Sequence, residues 1–355
     1  MAQITKRKSG TKSELASNDL NKKVEPLWTK NVIDQDEKDI ENMETSIVTV
    51  LGTVLSIIYL ASRMTNNEFF KKLTIISYLL PEDGKYRKGI NDVYYCIYLT
   101  MLILFVRAAF GMYFGRPLAR YLKVKDSRQV MRFAEQLWGA IIAIISFSSG
   151  IALIVQFPEH FRQDTVWTSY PILRMPYVLK LYYLAENGYW LATLTYLFLE
   201  KRRKDFAMMV IHHFSTIFLV AGSYYINFTS AGVIIHATMD LVDIFLPLAK
   251  IFNYIGLQLY CDISFVTMAI AWIFSRHYVF LRILHDVIFV SSRLANPNWD
   301  PANGLYYTRN TRHLFLFFLI ALEVLFFIWL YSILKIIYRV VMGNQLEDIR
   351  SDDEE

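Results

Sequence analysis

Long apolar stretches separated by short polar segments dominate the chain. Eight of them are long enough, as helices, to cross or nearly cross about 30 Å of hydrocarbon. They are residues 46-62, 93-114, 133-156, 177-199, 207-228, 231-251, 259-284 and 313-341. The pattern predicts an all-α integral membrane protein with about eight transmembrane helices. The first stretch is short and the sixth carries several ionisable residues, so these two are the least typical spans.

The composition agrees with a multi-spanning membrane protein. The 355 residues are 54% hydrophobic and 15% aromatic, and the mean hydropathy is +0.29. The two cysteines, Cys96 and Cys261, lie in different apolar stretches, so we expect neither a disulfide framework nor a cysteine-ligated metal. About the first forty residues are polar and lack the apolar core of a cleavable signal peptide. The first apolar stretch is therefore expected to be the membrane anchor.

Basic residues lie in short groups beside the apolar stretches, where they act as topology signals. The net charge of +5 therefore does not indicate nucleic-acid binding. The groups in 116-132 and 201-204 place those loops in the cytosol. With eight spans, both termini are then cytosolic, and the loops 157-176 and 285-312 lie on the opposite side. One conflict remains, because the loop 63-92 is basic and yet also falls on that opposite side.

The charge pattern divides the chain into four parts. We expect a polar cytosolic arm at 1-45, the first span and an interfacial connector at 46-92, a transmembrane catalytic domain at 93-342, and an acidic cytosolic tail at 343-355. We find no internal repeat and no Gly/Ser-rich linker. In the tail, Ser351 is followed by four acidic residues, the pattern that kinases of the casein-kinase-2 type modify. Ser351 is therefore a predicted phosphorylation site.

Ionisable side chains interrupt two consecutive apolar stretches. His212 and His213 lie in one, and Asp240 and Asp243 lie in the next. A charge at the bilayer centre costs roughly 2.5 kcal/mol or more, so residues of this kind mark a candidate functional site. Counted from the basic residues at the cytosolic ends, all four lie roughly 10 to 15 Å below that surface. His236 is one turn before Asp240 and projects from the same helical face.

The chemistry that suits these residues is acyl or proton transfer within a membrane cavity. A neutral imidazole accepts a proton from an amine or attacks a thioester, and a carboxylate can orient the ring. Three alternatives use the same residues: polar contacts between helices, a mononuclear metal site, and the proton relay of a transporter. The relay predicts internal repeats, which we do not find. The seven histidines are too few for the spaced boxes of di-iron desaturases.

From Tyr182 onward, the sequence resembles a ceramide synthase of the longevity-assurance branch of the TLC-domain family. The matching stretches are YYLAENGYW (182-190), EKRRKDFAMMVIHHFSTIFLVAGSYYINFTSAG (200-232) and MDLVDIFLPLAKIFNYIG (239-256). The resemblance is specific because the basic run, the histidine pair and the paired aspartates occur in one order and spacing. One position departs from many animal members, which have a histidine where this chain has Met239. Fungal members resemble this chain there, which indicates a fungal-type enzyme.

The resemblance implies a TLC-type helical barrel or bundle that encloses an intramembrane cavity. It also implies an N-acyltransferase of the endoplasmic reticulum that joins a fatty acyl-CoA to a sphingoid base, giving dihydroceramide or phytoceramide and CoA. His212 and His213 correspond to the family's essential histidines, and Asp240 and Asp243 correspond to its paired aspartates. Because Met239 replaces a histidine, we expect His236 to take part of the role of partnering Asp240.

Other residues are expected to support this site. Supporting positions are His236, Ser223, Tyr224 and Glu186, with Arg276 and Glu323 as weaker candidates for the cavity wall. The CoA phosphates are expected to bind at Lys201, Arg202, Arg203 and Lys204, a run that equally serves as an orientation signal. No metal and no cofactor is expected, since acyl-CoA is a substrate. The residues leave open whether a histidine forms an acyl intermediate or acts as a base.

The resemblance also implies partners. These are acyl-CoA, the sphingoid base, membrane lipids, a small single-pass regulatory subunit and a second catalytic chain that is paralogous or identical. The fungal resemblance favours very-long-chain acyl groups, while the choice of sphingoid base stays open. A different class of function fits the same family, namely a non-catalytic TLC-domain protein that binds or transports lipids or assists translocation.

Overall fold

The computed structural model describes residues 27–162, 165–294 and 298–342. The regular elements in these ranges are helical, apart from isolated antiparallel bridges. The main helices are α1 (Leu27–Met64), α2 (Glu68–Thr74), α3 (Asn91–Tyr121), α4 (Ser127–Gln156), α5 (Tyr177–Leu199), α6 (Phe206–Tyr225), α7 (Thr229–Tyr254), α8 (Gln258–Val290) and α9 (Arg309–Val341). The predicted acidic tail, with Ser351, lies outside the described residues.

Seven of these helices are long and apolar enough to cross a membrane: α1, α3, α4, α6, α7, α8 and α9. They coincide with seven of the eight predicted spans, so the multi-pass, all-helical prediction is confirmed. The remaining stretch, 177-199, forms the 23-residue helix α5, but Lys180, Glu186 and several tyrosines make it less apolar than the others. A span at α5 therefore stays a prediction. The side with loop 200–205 is called the basic side, and the side with loop 226–228 the opposite side.

The first helix begins much earlier than the apolar pattern predicts. α1 starts at Leu27, inside the predicted polar arm, and continues without a break into the first span. Its polar part is attached to α3 by ion pairs: Glu44 pairs with the buried Arg116, and Glu37 lies 3.0 Å from Arg120. The structure therefore shows no boundary at residue 45.

The basic connector 63-92 places one of its lysines inside the fold. Lys88 Nζ donates to the carbonyl oxygen of Tyr224 at 2.8 Å and to Asn227 Oδ1 at 2.9 Å. Burial lowers the pKa of Lys88 well below its ordinary value, although the nearby Asp92 carboxylate opposes this shift. Because Lys88 contacts the protein interior, it is weak evidence for the side of the membrane on which this loop lies. The conflict between the basic charge of loop 63-92 and its predicted side is therefore smaller.

A buried ion pair lies next to Lys88 and joins four parts of the fold. Lys180 Nζ of α5 lies 2.7 Å from Asp92 Oδ1 of α3, and both side chains are almost fully buried. The same ammonium donates to the backbone oxygens of Ser77 at 2.9 Å and Arg87 at 2.6 Å. The Tyr224 hydroxyl of α6 donates to Asp92 Oδ2 at 2.8 Å. These contacts fasten the connector, α3, α5 and α6 together on the opposite side.

The sequence Asn227-Phe228-Thr229 matches a glycosylation sequon, but its asparagine is buried. Asn227 Nδ2 donates to the backbone oxygen of Gly304 at 2.8 Å, while its Oδ1 accepts from Lys88. Asn227 also has φ near +69°, a conformation that asparagine tolerates better than most residues. The side chain therefore serves the fold and is inaccessible to a glycosyltransferase once the protein is folded.

Helices α4 and α7 approach each other closely at a glycine. A Cβ atom built on Gly150 would lie 2.9 Å from the Cβ atom of Ala237. Small residues at such contacts let membrane helices pack backbone against backbone. One turn before Gly150, on the same face of α4, lies Ser146, which contacts Asp240 of α7. The glycine contact thus helps to position a polar pair in the interior.

We expect Gly150→Ala to lower the thermal midpoint of the protein in detergent, whereas Gly139→Ala on the same helix raises it. At Gly150 the new methyl group overpacks the contact with Ala237, which typically costs about 1–3 kcal/mol. At Gly139 the nearest atom to a new Cβ is 3.9 Å away. There the gain in helix propensity, about 0.5–1 kcal/mol, is unopposed. Midpoints that move in the same direction for both variants would contradict the close contact.

Candidate functional site

A cavity lies among α5, α6, α7, α8 and α9. Along α6 it extends from His212 to Ile226, a separation of 14 residues or about 21 Å. Its wall is mostly apolar, and the far end near Ile226 is formed by aromatic side chains that include Trp167, Phe228 and Tyr307. Toward the basic side the wall becomes polar, with His212, Glu186, Asp240, Asp243 and Arg276. The cavity therefore combines a long apolar chamber with a concentrated polar end.

The two adjacent histidines have different environments. His212 faces the cavity, and its buried Nδ1 has no hydrogen-bond partner within the described ranges. Its ring packs edge-on against Trp190 and Trp329, with centroids 5.7 and 5.3 Å away. His213 does not line the cavity, and its Nδ1 donates to the backbone oxygen of Met209 at 2.7 Å. Only His212 of the pair therefore offers an unused ring nitrogen next to the cavity.

Two carboxyl groups meet at a serine hydroxyl. Ser146 Oγ of α4 lies 2.5 Å from Asp240 Oδ2 of α7 and is also hydrogen-bonded to Glu186 Oε1 of α5. All three residues are buried. A hydroxyl has a single proton and can donate it to one acceptor. The arrangement is satisfied when one carboxyl group carries a proton and donates to Ser146 Oγ, so this carboxyl pair shares a proton.

The second aspartate has a cationic partner. Asp243 Oδ1 accepts from Arg276 Nη2 at 2.9 Å, and the same nitrogen lies 3.1 Å from the backbone oxygen of Met239. Arg276 belongs to a π-helical turn of α8, Ile273–Val279, a geometry that is frequent at functional sites. Its guanidinium group therefore holds a fixed positive charge at the cavity wall.

The predicted contact between the histidine pair and the aspartates is not formed as a hydrogen bond in the described part of the chain. His212 and Asp240 line the same cavity, but Asp240 bonds to Ser146 instead. His236 also lines the cavity, with its ring 6.1 Å from that of Tyr182, and its Nδ1 is unpartnered among the described residues. The predicted partnership of His236 with Asp240 is likewise not a hydrogen bond in these ranges. No group of three or more His, Cys, Asp or Glu side chains there could hold a metal ion.

The other supporting residues are placed differently from one another. Ser223 lines the cavity, with its hydroxyl 3.1 Å from the hydroxyl of Tyr183. Glu186 lines it as predicted. Tyr224 does not line the cavity, because its hydroxyl turns toward Asp92 in the buried cluster on the opposite side. Tyr224 therefore holds the fold together and is not part of the cavity wall.

A groove with basic residues lies next to the polar end of the cavity. Its basic residues are Arg203, Lys204, Lys250 and Lys335. The predicted residues Lys201 and Arg202 do not line it. Trp329 lies in the wall of this groove and also contacts His212, so the groove approaches the cavity at this tryptophan.

Arg203, a cation of this groove, is paired with carboxylates. Arg203 lies 3.0 Å from Glu135 and 4.0 Å from Glu200. Burial, followed by the charge of Glu135, raises the pKa of Glu200 to about 7, while Arg107 and Arg203 oppose the shift. The charge of Arg203 is therefore largely balanced within the protein.

Three parts of the site have a weak signal or none in the sequence. Ser146 is one of several serines in an apolar stretch, and nothing in the pattern distinguishes it from the others. Nothing in the pattern connects Trp190 and Trp329, which pack on His212, with the site. Arg276 did carry a usable signal, because it is a charge within an apolar stretch, like the paired aspartates.

Known proteins resemble this chain over most of its length. The sequence profile of the TLC domain matches residues 132–335. A sphingosine N-acyltransferase of Schizosaccharomyces pombe, lac1, is 32% identical over 294 residues, which cover 81% of this chain and 76% of the relative. The ceramide synthase LAG1 of Saccharomyces cerevisiae is 29% identical, covering 86% and 75%. The ceramide synthase FUM18 of Gibberella moniliformis is 28% identical, covering 86% and 78%.

Proposed function

This chain belongs to the TLC-domain family, and we propose that it is a ceramide synthase, which transfers a fatty acyl group from acyl-CoA to the amine of a sphingoid base. The observation that carries the proposal is the cavity. An apolar chamber about 21 Å long ends at a carboxyl pair, an arginine and an imidazole nitrogen that has no hydrogen-bond partner among the described residues. A cavity that only binds lipids does not require this set of acid and base groups.

In the proposed reaction the thioester C–S bond breaks and an amide C–N bond forms. The sphingoid base enters as an ammonium ion and loses two protons. One proton is taken up by the departing CoA thiolate, and the other is released to solvent. Charge and atoms then balance as acyl-CoA plus ammonium giving ceramide, CoA thiol and one proton. Groups that accept protons near the reacting nitrogen are therefore required.

Acyl-CoA is proposed to bind across the contact between the groove and the cavity. The CoA phosphates lie in the groove with Lys204, Lys250 and Lys335, whose charges suit phosphate groups. The acyl chain passes Trp329 and enters the apolar chamber. Aromatic side chains at the far end, including Phe228, line the path of the chain. We propose very-long-chain acyl groups on the strength of the fungal resemblance.

His212 is the proposed reacting imidazole, because its Nδ1 is unpaired in the described part of the chain. The same ring can accept a proton from the amine or attack the thioester carbonyl carbon, with displacement of CoA. Incubation with acyl-CoA alone separates the two routes. An acyl group found on His212 by peptide mass spectrometry identifies attack by the ring, and CoA release that requires both substrates identifies base catalysis.

The experiment that tests the proposal uses the purified protein with sphinganine and acyl-CoAs of several lengths. We expect ceramide, detected by mass spectrometry, and CoA in equal amounts, with ceramide absent when either substrate is omitted. The same assay is run with native membranes, in which the proposed regulatory subunit and second catalytic chain are present. Folded protein that binds both lipids without forming ceramide in either setting would favour the non-catalytic lipid-binding function.

We also propose location in the endoplasmic reticulum membrane with both termini in the cytosol. Seven spans would place the termini on opposite sides, and α5 as an eighth span places them on the same side. Epitope tags at the two ends should therefore both be accessible to antibody after the plasma membrane alone is permeabilised. A tag that becomes accessible only after all membranes are dissolved would contradict a span at α5.

A further inference from the structure

A second groove, which is apolar, reaches the carboxyl pair from outside the helix bundle. It lies between α3, α4 and α5 and is lined by residues such as Ile103, Ile145, Ala152 and Leu181. Its polar positions include Ser146 and Glu186, and Glu186 also lines the main cavity. The groove and the cavity therefore lie on two sides of one buried carboxyl group.

The groove is open on the surface that faces the membrane. Ile145 and Val178 on its rim are 56% and 43% exposed, although both belong to apolar helical stretches. In the membrane such side chains contact lipid chains. A molecule with a long hydrocarbon tail can therefore enter this groove sideways from the bilayer.

No lysine or arginine of the described ranges lines the groove. Among the described residues, neither Glu186 nor Asp240 forms a salt bridge with a lysine or arginine, and Arg276 is engaged with Asp243. The hydroxyl proton of Ser146 can serve only one of the two carboxyl groups. A buried carboxylate without a counter-charge is costly, and an ammonium ion offers both a positive charge and three donors.

We propose that this groove binds the hydrocarbon tail of the sphingoid base, with the ammonium group held by Glu186, Ser146 and Asp240. The inference rests on the proposed function and specifies how its second substrate is bound. The acyl chain then occupies the main cavity while the base occupies the groove. The two reacting ends meet at Glu186. The carboxylate of the proton-sharing pair takes a proton from the ammonium, which gives the neutral amine and leaves both carboxyl groups as carboxylic acids.

The first test fills the groove without touching the carboxyl pair. Ala152 is exposed and lies six residues from Ser146, about 9 Å along α4. Ala152→Trp is expected to raise the KM for sphinganine about 10-fold or more, equivalent to about 1.4 kcal/mol of lost binding. The KM for acyl-CoA should change less than about 2-fold, which corresponds to a loss of binding free energy well below about 1.4 kcal/mol.

The matched control is Val155→Trp, on the same helix. Val155 is 73% exposed and does not line the groove, so the same bulky side chain should leave both KM values unchanged. Thermal midpoints confirm that both variants are folded. Equal KM values for sphinganine in the two tryptophan variants would overturn the proposed groove.

A binding test that needs no turnover accompanies the kinetics. A sphinganine analogue with a photoreactive diazirine in its tail should label peptides of α4 and α5, and Ala152→Trp should remove the label. The same labelling is expected in His212→Ala. Labelling confined to α6 and α9 would overturn the inference while leaving ceramide formation intact. Labelling of α4 and α5 in a protein that makes no ceramide would uphold the binding site and contradict the proposed function.

The carboxyl pair is tested by substitutions of similar shape. Glu186→Gln removes the negative charge and should raise the KM for sphinganine about 10-fold, or about 1.4 kcal/mol. Ser146→Thr retains the hydroxyl and should keep the KM close to that of the wild type, whereas Ser146→Ala should raise it. An unchanged KM for sphinganine in Glu186→Gln would contradict an ammonium site at this residue.

Discussion

Replacing His212 with alanine is expected to lower kcat for ceramide formation about 10³-fold, the effect typical of a lost acid–base group. The ring of His212 faces the cavity and its Nδ1 is unpaired within the described ranges. His213 is turned away, with Nδ1 donating to the backbone oxygen of Met209. His213→Ala should remove one hydrogen bond, worth about 1 kcal/mol, and lower kcat only about fivefold.

The measurement is steady-state ceramide formation by both variants at saturating substrates, with thermal midpoints as the control for folding. The resemblance to ceramide synthases treats the two histidines as one essential pair, whereas their environments predict unequal roles. A larger loss in His213→Ala than in His212→Ala, in protein of unchanged midpoint, would contradict this assignment.

The second large effect is on stability and lies far from His212. Lys180→Met should lower the free energy of unfolding by about 3–5 kcal/mol, because it leaves the buried carboxylate of Asp92 without its ion-pair partner. Unfolding is followed by tryptophan fluorescence during titration of the detergent-solubilised protein with SDS. The matched control is Lys71→Met, which removes an ion pair with the exposed Glu68. That variant should change stability by less than about 1 kcal/mol.

A double variant separates the ion pair from simple packing. Asp92→Leu combined with Lys180→Met removes both charges, so it should be more stable than Lys180→Met alone. If the double variant is destabilised by the sum of the two single effects, the two side chains act independently. That outcome would contradict a coupled pair that fastens α3 to α5.

The helical spans were predictable because the apolar pattern depends on local sequence. Seven of the eight predicted stretches correspond to helices suited to crossing a membrane. The start of α1 was not predictable from apolarity. Residues before 45 are polar, and the helix there is fastened by Glu37 and Glu44 to arginines more than 70 positions away. Contacts of that kind depend on how α1 packs on α3.

The cavity residues were predictable in identity but not in pairing. A charged or titratable residue in an apolar stretch is costly, which correctly brought His212, Asp240 and Asp243 to one cavity. Which residues bond to each other depends on the rotation and crossing of the helices. The close contact at Gly150 turns Ser146 toward Asp240, and that serine had no distinguishing signal. Asp240 therefore bonds to Ser146, which also contacts Glu186, and does not form the expected hydrogen bond with a histidine.

Acyl transfer at the His212 end of the cavity can be tested with a cryo-electron microscopy structure of the protein bound to a thioether analogue of acyl-CoA, which cannot be cleaved. We expect an acyl chain between His212 and Phe228, CoA phosphates near Lys204, Lys250 and Lys335, and the thioether beside the His212 ring. An acyl chain in the apolar groove at Ala152, with the thioether remote from His212, would show that the reaction takes place elsewhere.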